Sequence, residues 1–492
     1  MNNRRCIAGC QCTTSRRNFI KKSTFLAAGT LLMSNASLYA EERKVLIPKM
    51  QSFGPGASYV PEIKAAFVRR KEEYGMWWPG AVYDGEAAKK KYTEELSQTA
   101  KALNVKLDIR PEPIHSLEEA DKWLGDAKSS QADGLMVMVL DRQQHSWPTA
   151  QKAADSGIPT VIFSPLGTSF TTNTIHLADK PGCIVYSTND FGQAAYGMKM
   201  LKAGARMQHT RCVVIMGTER KETILADTGI TLQYVPANTF IEIYNSMGAN
   251  KDITNMAGEY INLAQEIRHA SRQDVINGIK SYLVAAQIME NEKADAISMD
   301  CLGALGDKEV SLPCIAWSRM NDDGIPAACE ADVGAIASHI MVQYLFDRPG
   351  FQQDPVADTS DDTIIGAHCS CPTRLNGFNN PPEPFELVHH HGNRDAVPRT
   401  IWKIGQRVTS LDVLPANETE KDRTQLLIST GSVVDNMKVP PSGGCVVSVK
   451  VKFDRGHEVL SFPGFHQLFF YGDYKNELED FCKLYNFDAT IA

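Results

Sequence analysis

Leu117–Val139 reads LEEADKWLGDAKSSQADGLMVMV, and two periodicities meet inside it. Leu117–Ala127 mixes charged and apolar residues at helical spacing, whereas Gly134–Val139 is an unbroken apolar run too short for a helix. A helix delivering a fully buried strand is the repeating step of a parallel sheet with helical crossovers. The same alternation extends to both sides. Upstream, Lys44–Pro48 reads as a first strand, Gln51–Gly56 as the loop after it, Ala87–Leu103 as a helix and Val105–Ile109 as a strand; downstream, Thr160–Phe163 is another strand. The pattern predicts an open α/β sheet over residues 41–180.

A second unit of the same class is expected over 181–345. Its clearest strand is Cys212–Met216, and Glu219–Glu222 after it reads as a solvated helix start. Val275–Met289 is a long helix leading into the strand Ala294–Ser298, and Val333–Tyr344 places Val333, Ile336 and Ile340 on one helical face. Beyond residue 346 proline and glycine become frequent, and short alternating runs (Thr363–Ala367, Gln425–Ile428, Cys445–Phe453) predict a β-rich, barrel-like or sandwich unit over 346–492, with Lys475–Tyr485 returning to helix. The expected fold class is thus α/β, with two open Rossmann-like units followed by a β-rich C-terminal domain.

Residues 1–40 do not read as part of that fold. Ser15-Arg16-Arg17-Asn18-Phe19-Ile20-Lys21 matches a twin-arginine export pattern, followed by the apolar stretch Phe25–Met33 and small residues up to Ala40. The apolar stretch falls short of the roughly 20 residues a membrane span needs. The expectation is a chain handled by the twin-arginine translocase and delivered to the periplasm or otherwise exported. Leu38 makes a poor cleavage context, so an uncleaved, anchoring leader stays open. Six of the 51 basic residues lie in this leader, which leaves 45 against 58 acids in the remainder. So acidic a surface repels phosphate backbones and excludes nucleic acid as an expected partner. Of the twelve cysteines, three precede residue 13 and nine are scattered over the rest. Folding before export predicts free thiols. Cys369-Ser370-Cys371, the one close pair outside the leader, has the spacing of neither a zinc knuckle nor a C-x-x-C redox site.

No phosphate-binding loop, serine nucleophile elbow or H-E-x-x-H helix is present. Acids and histidines of the C-terminal half stand out instead. Cys329-Glu330-Ala331-Asp332 leads into the 333–344 helix, Asp354 follows that helix, His368 ends a strand in Gly366-Ala367-His368, and His466 sits in the turn Phe462–Gln467. Asp300 falls at the carboxyl end of a strand, where ligands of open α/β sheets collect.

In order and spacing, these segments resemble the L-fucose/L-arabinose isomerase family over most of residues 295–480. The resemblance implies that Glu330 and Asp354 hold a divalent metal and also form the acid/base pair. It implies His466, ahead of Phe469-Phe470-Tyr471-Gly472, as a further ligand, with His368 added as in the arabinose branch. Two carboxylates with one or two imidazoles make a mixed oxygen/nitrogen set suited to Mn²⁺ or another divalent cation. The implied reaction is aldose–ketose isomerisation of a pentose or deoxyhexose, by proton transfer through an enediolate or by hydride shift. Homo-oligomers, trimers or hexamers, are the family habit. Trp77 and Trp78 are candidates for an aromatic lid on the sugar, because a neighbouring subunit closes the site in the fucose branch. Among His389–His391 at most two side chains could meet one metal, and His390 is the candidate for a sugar-facing role. Two alternatives compete with the isomerase: an exported sugar-binding protein on an inactive isomerase scaffold, and a metal-dependent carbohydrate epimerase or hydrolase.

Overall fold

The computed structural model describes residues 49–492 apart from 73–75, 79–80, 143, 249, 306–309, 391–393, 417–422, 439–444, 455–458 and 492, and the backbone alone at 76–78 and 81–83. In chain order the strands of the first part are β1 (Glu62–Val68), β2 (Met76–Trp78), β3 (Ala81–Tyr83), β4 (Lys106–Ile109), β5 (Gly134–Val139), β6 (Thr160–Ser164) and β7 (Cys183–Ser187). β2 and β3 form a small antiparallel hairpin, while the others make a parallel sheet in the order β4-β1-β5-β6-β7. That order is doubly wound, with helices on both faces, which explains why every residue of β5 is buried. The crossover helices start where short polar side chains satisfy their first amide groups. Asp84 accepts from Glu86 and Ala87 to open Gly85–Leu103, and Ser116 accepts from Glu119 to open Leu117–Ser129.

The second part adds β8 (Arg211–Ile215), β9 (Lys221–Ile224), β10 (Thr231–Val235), β11 (Glu266–Ile267), β12 (Ala296–Met299) and β13 (Ala327–Cys329). Its sheet runs β13-β12-β8-β10-β9, parallel except for the edge strand β9. Two readings of the sequence change here. Residues from Lys221 form that edge strand rather than a helix start; all four of its residues are exposed, and charges of this kind protect a sheet edge from further pairing. Lys44–Pro48 lies outside the described residues, and the first described strand is β1. The segment read as a loop at Gln51–Gly56 is more than a turn. Pro55–Ser58 forms one helical turn whose Gly56 and Ala57 amides donate to Asp295, which also accepts from Ser52 and Arg211. A Cβ on Gly56 would lie 2.6 Å from the Thr210 hydroxyl, so the close approach needs glycine. This contact pins the start of the described chain to the second sheet.

The third part contributes β14 (Phe351–Asp358), β15 (Thr363–His368), β16 (Phe385–His389), β17 (Ala396–Thr400), β18 (Arg407–Leu414), β19 (Gln425–Asn436), β20 (Val447–Phe453), β21 (Gln467–Tyr471) and β22 (Asp488–Ile491). Neighbours in the order β18-β21-β14-β15-β20-β19 pair antiparallel, and β19 returns to β18, closing a barrel; β22 adds in parallel to β19. β11 pairs with β16, which pairs with β17, so a segment of the second part is stitched to the third.

Helix Val333–Phe346 joins the units. It carries Ile336, Ile340 and Met341 into a core shared with the first sheet and with Leu411 and Phe470 of the barrel. His339 on this helix is 1% exposed, and neither ring nitrogen has a hydrogen-bond partner. Burial, helped by the nearby His368, lowers its pKa to about 3. The unfolded chain therefore takes up a proton below about pH 6.5 that the folded chain refuses, so this contribution to stability is complete above that value and is lost as pH falls toward 3. A His339→Leu variant should gain on the native chain below pH 6.5, by on the order of 1 kcal/mol one pH unit lower, in thermal unfolding followed from pH 8 to pH 5.

Candidate functional site

Four segments converge where the second sheet meets the barrel rim. Glu330 follows β13, Asp354 lies within β14, His368 ends β15, and His466 immediately precedes β21. Glu330 and Ala331 have φ of 64° and 53°, and His466 has φ of 52°. Left-handed backbone costs a non-glycine residue about 1–2 kcal/mol, so other contacts must hold these turns. Gln352 does so on one side: its side chain accepts from the Cys329 amide at 2.9 Å and donates to the Cys329 carbonyl at 3.4 Å. Asp332 does so on the other, accepting from Ala335 to cap helix Val333–Phe346. The His466 turn depends on Gly464, whose φ is 89° and whose Cβ would lie 2.6 Å from Asp412; Asp412 accepts from the Phe465 amide.

Asp332 also accepts from His466 Nδ1 at 2.9 Å. That fixes the ring and turns Nε2 toward the carboxylates, 3.2 Å from Asp354 Oδ1 and 3.5 Å from Glu330 Oε2. His368 Nε2 lies 3.7 Å from Glu330 Oε1, and the two imidazoles stand edge to face with centroids 5.6 Å apart. His466 Nε2 and Asp354 Oδ1 are buried without a hydrogen-bond partner. Glu330, His368 and His466 each offer a ligand atom within 4.8 Å of the others. The donor set therefore fits a divalent cation: oxygen and imidazole nitrogen converge on largely buried atoms, and the Asp332 carboxylate holds the far nitrogen of His466.

The electrostatics agree. Burial opposes a charge on His466, but the Asp332 hydrogen bond and the Asp354 and Glu330 carboxylates outweigh it and push its pKa up to about 10. Contact with His368 holds Glu330 below the usual carboxylate range against the effect of burial. Burial would raise Asp332, yet its bonds from His466 and the helix amides leave it lowered. The cluster thus favours positive charge at its centre. Glu330 remains 38% exposed, which leaves the centre open to solvent on one side, and beside it the ring of Phe465, 60% exposed, lies 4.4 Å from that of His466.

Other residues singled out from the sequence lie elsewhere. Asp300 stands at the carboxyl end of β12 and accepts from the Gly303 amide at 3.1 Å, as a turn cap. Trp77 and Trp78 belong to the β2–β3 hairpin, with side chains outside the described residues. His390 is 2% exposed and falls with Cys314 and Cys369 rather than with Glu330. Asp332 and Phe465 were missed as site residues. Asp332 was visible as the second acid of the Glu330 segment, but its spacing also suits a helix cap, and only the fold shows that it serves both purposes.

Comparison with known proteins supplies one relative of relevance. Over 191 residues the chain is 28% identical to sulfoquinovose isomerase from Clostridium sp. (strain MSTE9), an alignment covering 36% of this chain and 40% of that protein. The chain thus matches under half the length of this curated relative. No protein-family signature matches. Among solved structures, a periplasmic sugar-binding protein of an ABC sugar transporter from Legionella pneumophila aligns over 56% of this chain and all of its own at 12% identity and a TM-score of 0.18, a likeness too slight to carry an argument.

Because Ala331 pays the left-handed penalty without making a polar contact, Ala331→Gly should raise stability by about 0.5–1 kcal/mol, the reverse of the usual effect of glycine. Equilibrium unfolding in urea measures it.

Proposed function

We propose that the chain is a metal-dependent aldose–ketose isomerase acting on a pentose or deoxyhexose. The observation that carries this reading is the convergence of Glu330, His368 and His466, with Asp354 Oδ1 buried 3.2 Å from His466 Nε2. The similarity to a sugar isomerase supports it independently.

Glu330, Asp354, His368 and His466 would hold the cation, with Mn²⁺ suited to this mixed set. Bound there, it would supply Lewis acidity toward the vicinal oxygens of the sugar, where charge develops during isomerisation. The residues do the rest. A carboxylate takes the proton from C2 of the aldose, and the same or the facing carboxylate returns it to C1, through an enediolate, while the O2 hydroxyl proton passes to O1. Glu330, lowered in pKa by His368, is ionised at neutral pH and ready to accept that proton. Asp332 keeps the proton of His466 on Nδ1, so Nε2 is free to face the cation. The exposed face of Phe465 can cover the C–H side of the sugar ring. We also read the chain as exported through its twin-arginine leader and as a homo-oligomer in which Trp77 and Trp78 reach a sugar.

The test is ketose formation across pentoses, deoxyhexoses and sulfoquinovose, with Mn²⁺ content measured on the same samples. Glu330→Gln should abolish turnover while sugar binding survives; retained turnover would refute the assignment of Glu330. Asp332→Ser keeps a helix-capping oxygen but loses His466, and should weaken Mn²⁺ binding about 10–100-fold with little change in thermal stability. No turnover on any sugar, with or without Mn²⁺, would overturn the enzyme reading.

A further inference from the structure

Behind the carboxylate–imidazole centre lies a layer of sulfur that the proposed reaction does not use. Cys314 begins helix Cys314–Asp323, Cys369 follows β15, and His390 follows β16. All three are buried, and their ligand atoms lie within 4.8 Å of one another. The two sulfurs are 3.7 Å apart, well beyond a disulfide bond and close to the roughly 3.8 Å separating two thiolates that share a tetrahedral ion through bonds of about 2.3 Å. Cys329, at the end of β13, belongs to a second buried group with Cys369 and His368 within the same 4.8 Å, and the Cys301 thiol lies against it.

We infer that Cys314, Cys369 and His390 form a structural site for a thiophilic divalent cation, zinc in the first place, distinct from the Glu330 centre. Several features favour this assignment. Two thiols with one imidazole are soft and borderline donors that suit zinc better than Mn²⁺. The ligands come from helix Cys314–Asp323 of the second part and from the end of β15 in the barrel, so an ion there would cross-link the units where they meet. One of them, Cys369, is the chain neighbour of His368, so the ion would fix the backbone that presents that group. All three ligands are buried, which favours a structural rather than a catalytic role. On binding, each thiol gives its proton to solvent and the imidazole binds as the neutral base.

The experiment uses the full chain, loaded with zinc or with Co²⁺ alone. Elemental analysis should find about one zinc per chain that survives brief chelation, persists in a Glu330→Gln/His466→Ala variant, and falls at least tenfold in Cys314→Ala and His390→Ala. Should those variants fail to fold, native chain reconstituted with Co²⁺ decides the matter: sulfur-to-cobalt charge-transfer absorption with intense tetrahedral d–d bands supports the site. A cobalt spectrum without sulfur bands overturns it. So does a zinc content unaffected by Cys314→Ala in folded protein, or a Cys314–Cys369 disulfide in the native chain detected by peptide mass mapping.

Discussion

The left-handed turn at Glu330–Ala331 is the constraint on which the rest of the site depends. A strand of the second sheet ends at Cys329 and helix Val333–Phe346 begins at once, so the chain must reverse within two residues. Gln352 grips the peptide groups of Cys329 from the barrel side, and Asp332 caps the helix. The turn then projects Glu330 toward the barrel rim. It also leaves Asp332 free to hold His466, so one short segment sets both a carboxylate and the orientation of an imidazole more than a hundred residues away.

Closure of the barrel does the complementary work. Because β14 lies between β21 and β15, Asp354, His466 and His368 arrive on neighbouring strands at one rim without any of them being adjacent in sequence. The shared core around helix Val333–Phe346 keeps that rim against the carboxyl end of β13. The site is therefore a property of the junction: neither the open sheet nor the barrel holds it alone.

Hard and soft donors are segregated across this junction. Oxygen and imidazole groups face the solvent side around Glu330, while thiols fill the buried side around Cys369. Cys329 and its neighbour Glu330 point into different layers, and His368 stands between them, with Nε2 toward Glu330 and Nδ1 3.5 Å from Cys369 Sγ. The Cys314 hydrogen bond, with burial, pushes the Cys369 thiol up; the bond to Cys369 lowers Cys314, but burial beside the neighbouring thiols outweighs it and pushes Cys314 up as well. They are therefore not reactive nucleophiles, and the layer reads as a brace for the centre in front of it.

Much of the architecture was legible in the chain. The helix–strand alternation around Leu117–Val139 defined a parallel sheet because a strand buried on both faces leaves an uninterrupted apolar run, and short alternating runs after residue 346 announced the β-rich part. β1 escaped notice because its partly exposed first half, with Glu62 and Lys64, breaks the apolar run, and β9 was misread because an exposed charged edge carries no periodicity. Glu330, Asp354, His368 and His466 could be picked out as residues, since acids and histidines in that order are a pattern along the chain. Their distances, the left-handed turns that aim them, the grip of Asp332 on His466 and the meeting of Cys314, Cys369 and His390 could not. Those depend on β-barrel closure and on packing between segments distant in the chain, such as Cys314 with Cys369 and Asp332 with His466, and such contacts leave no local periodicity in a sequence.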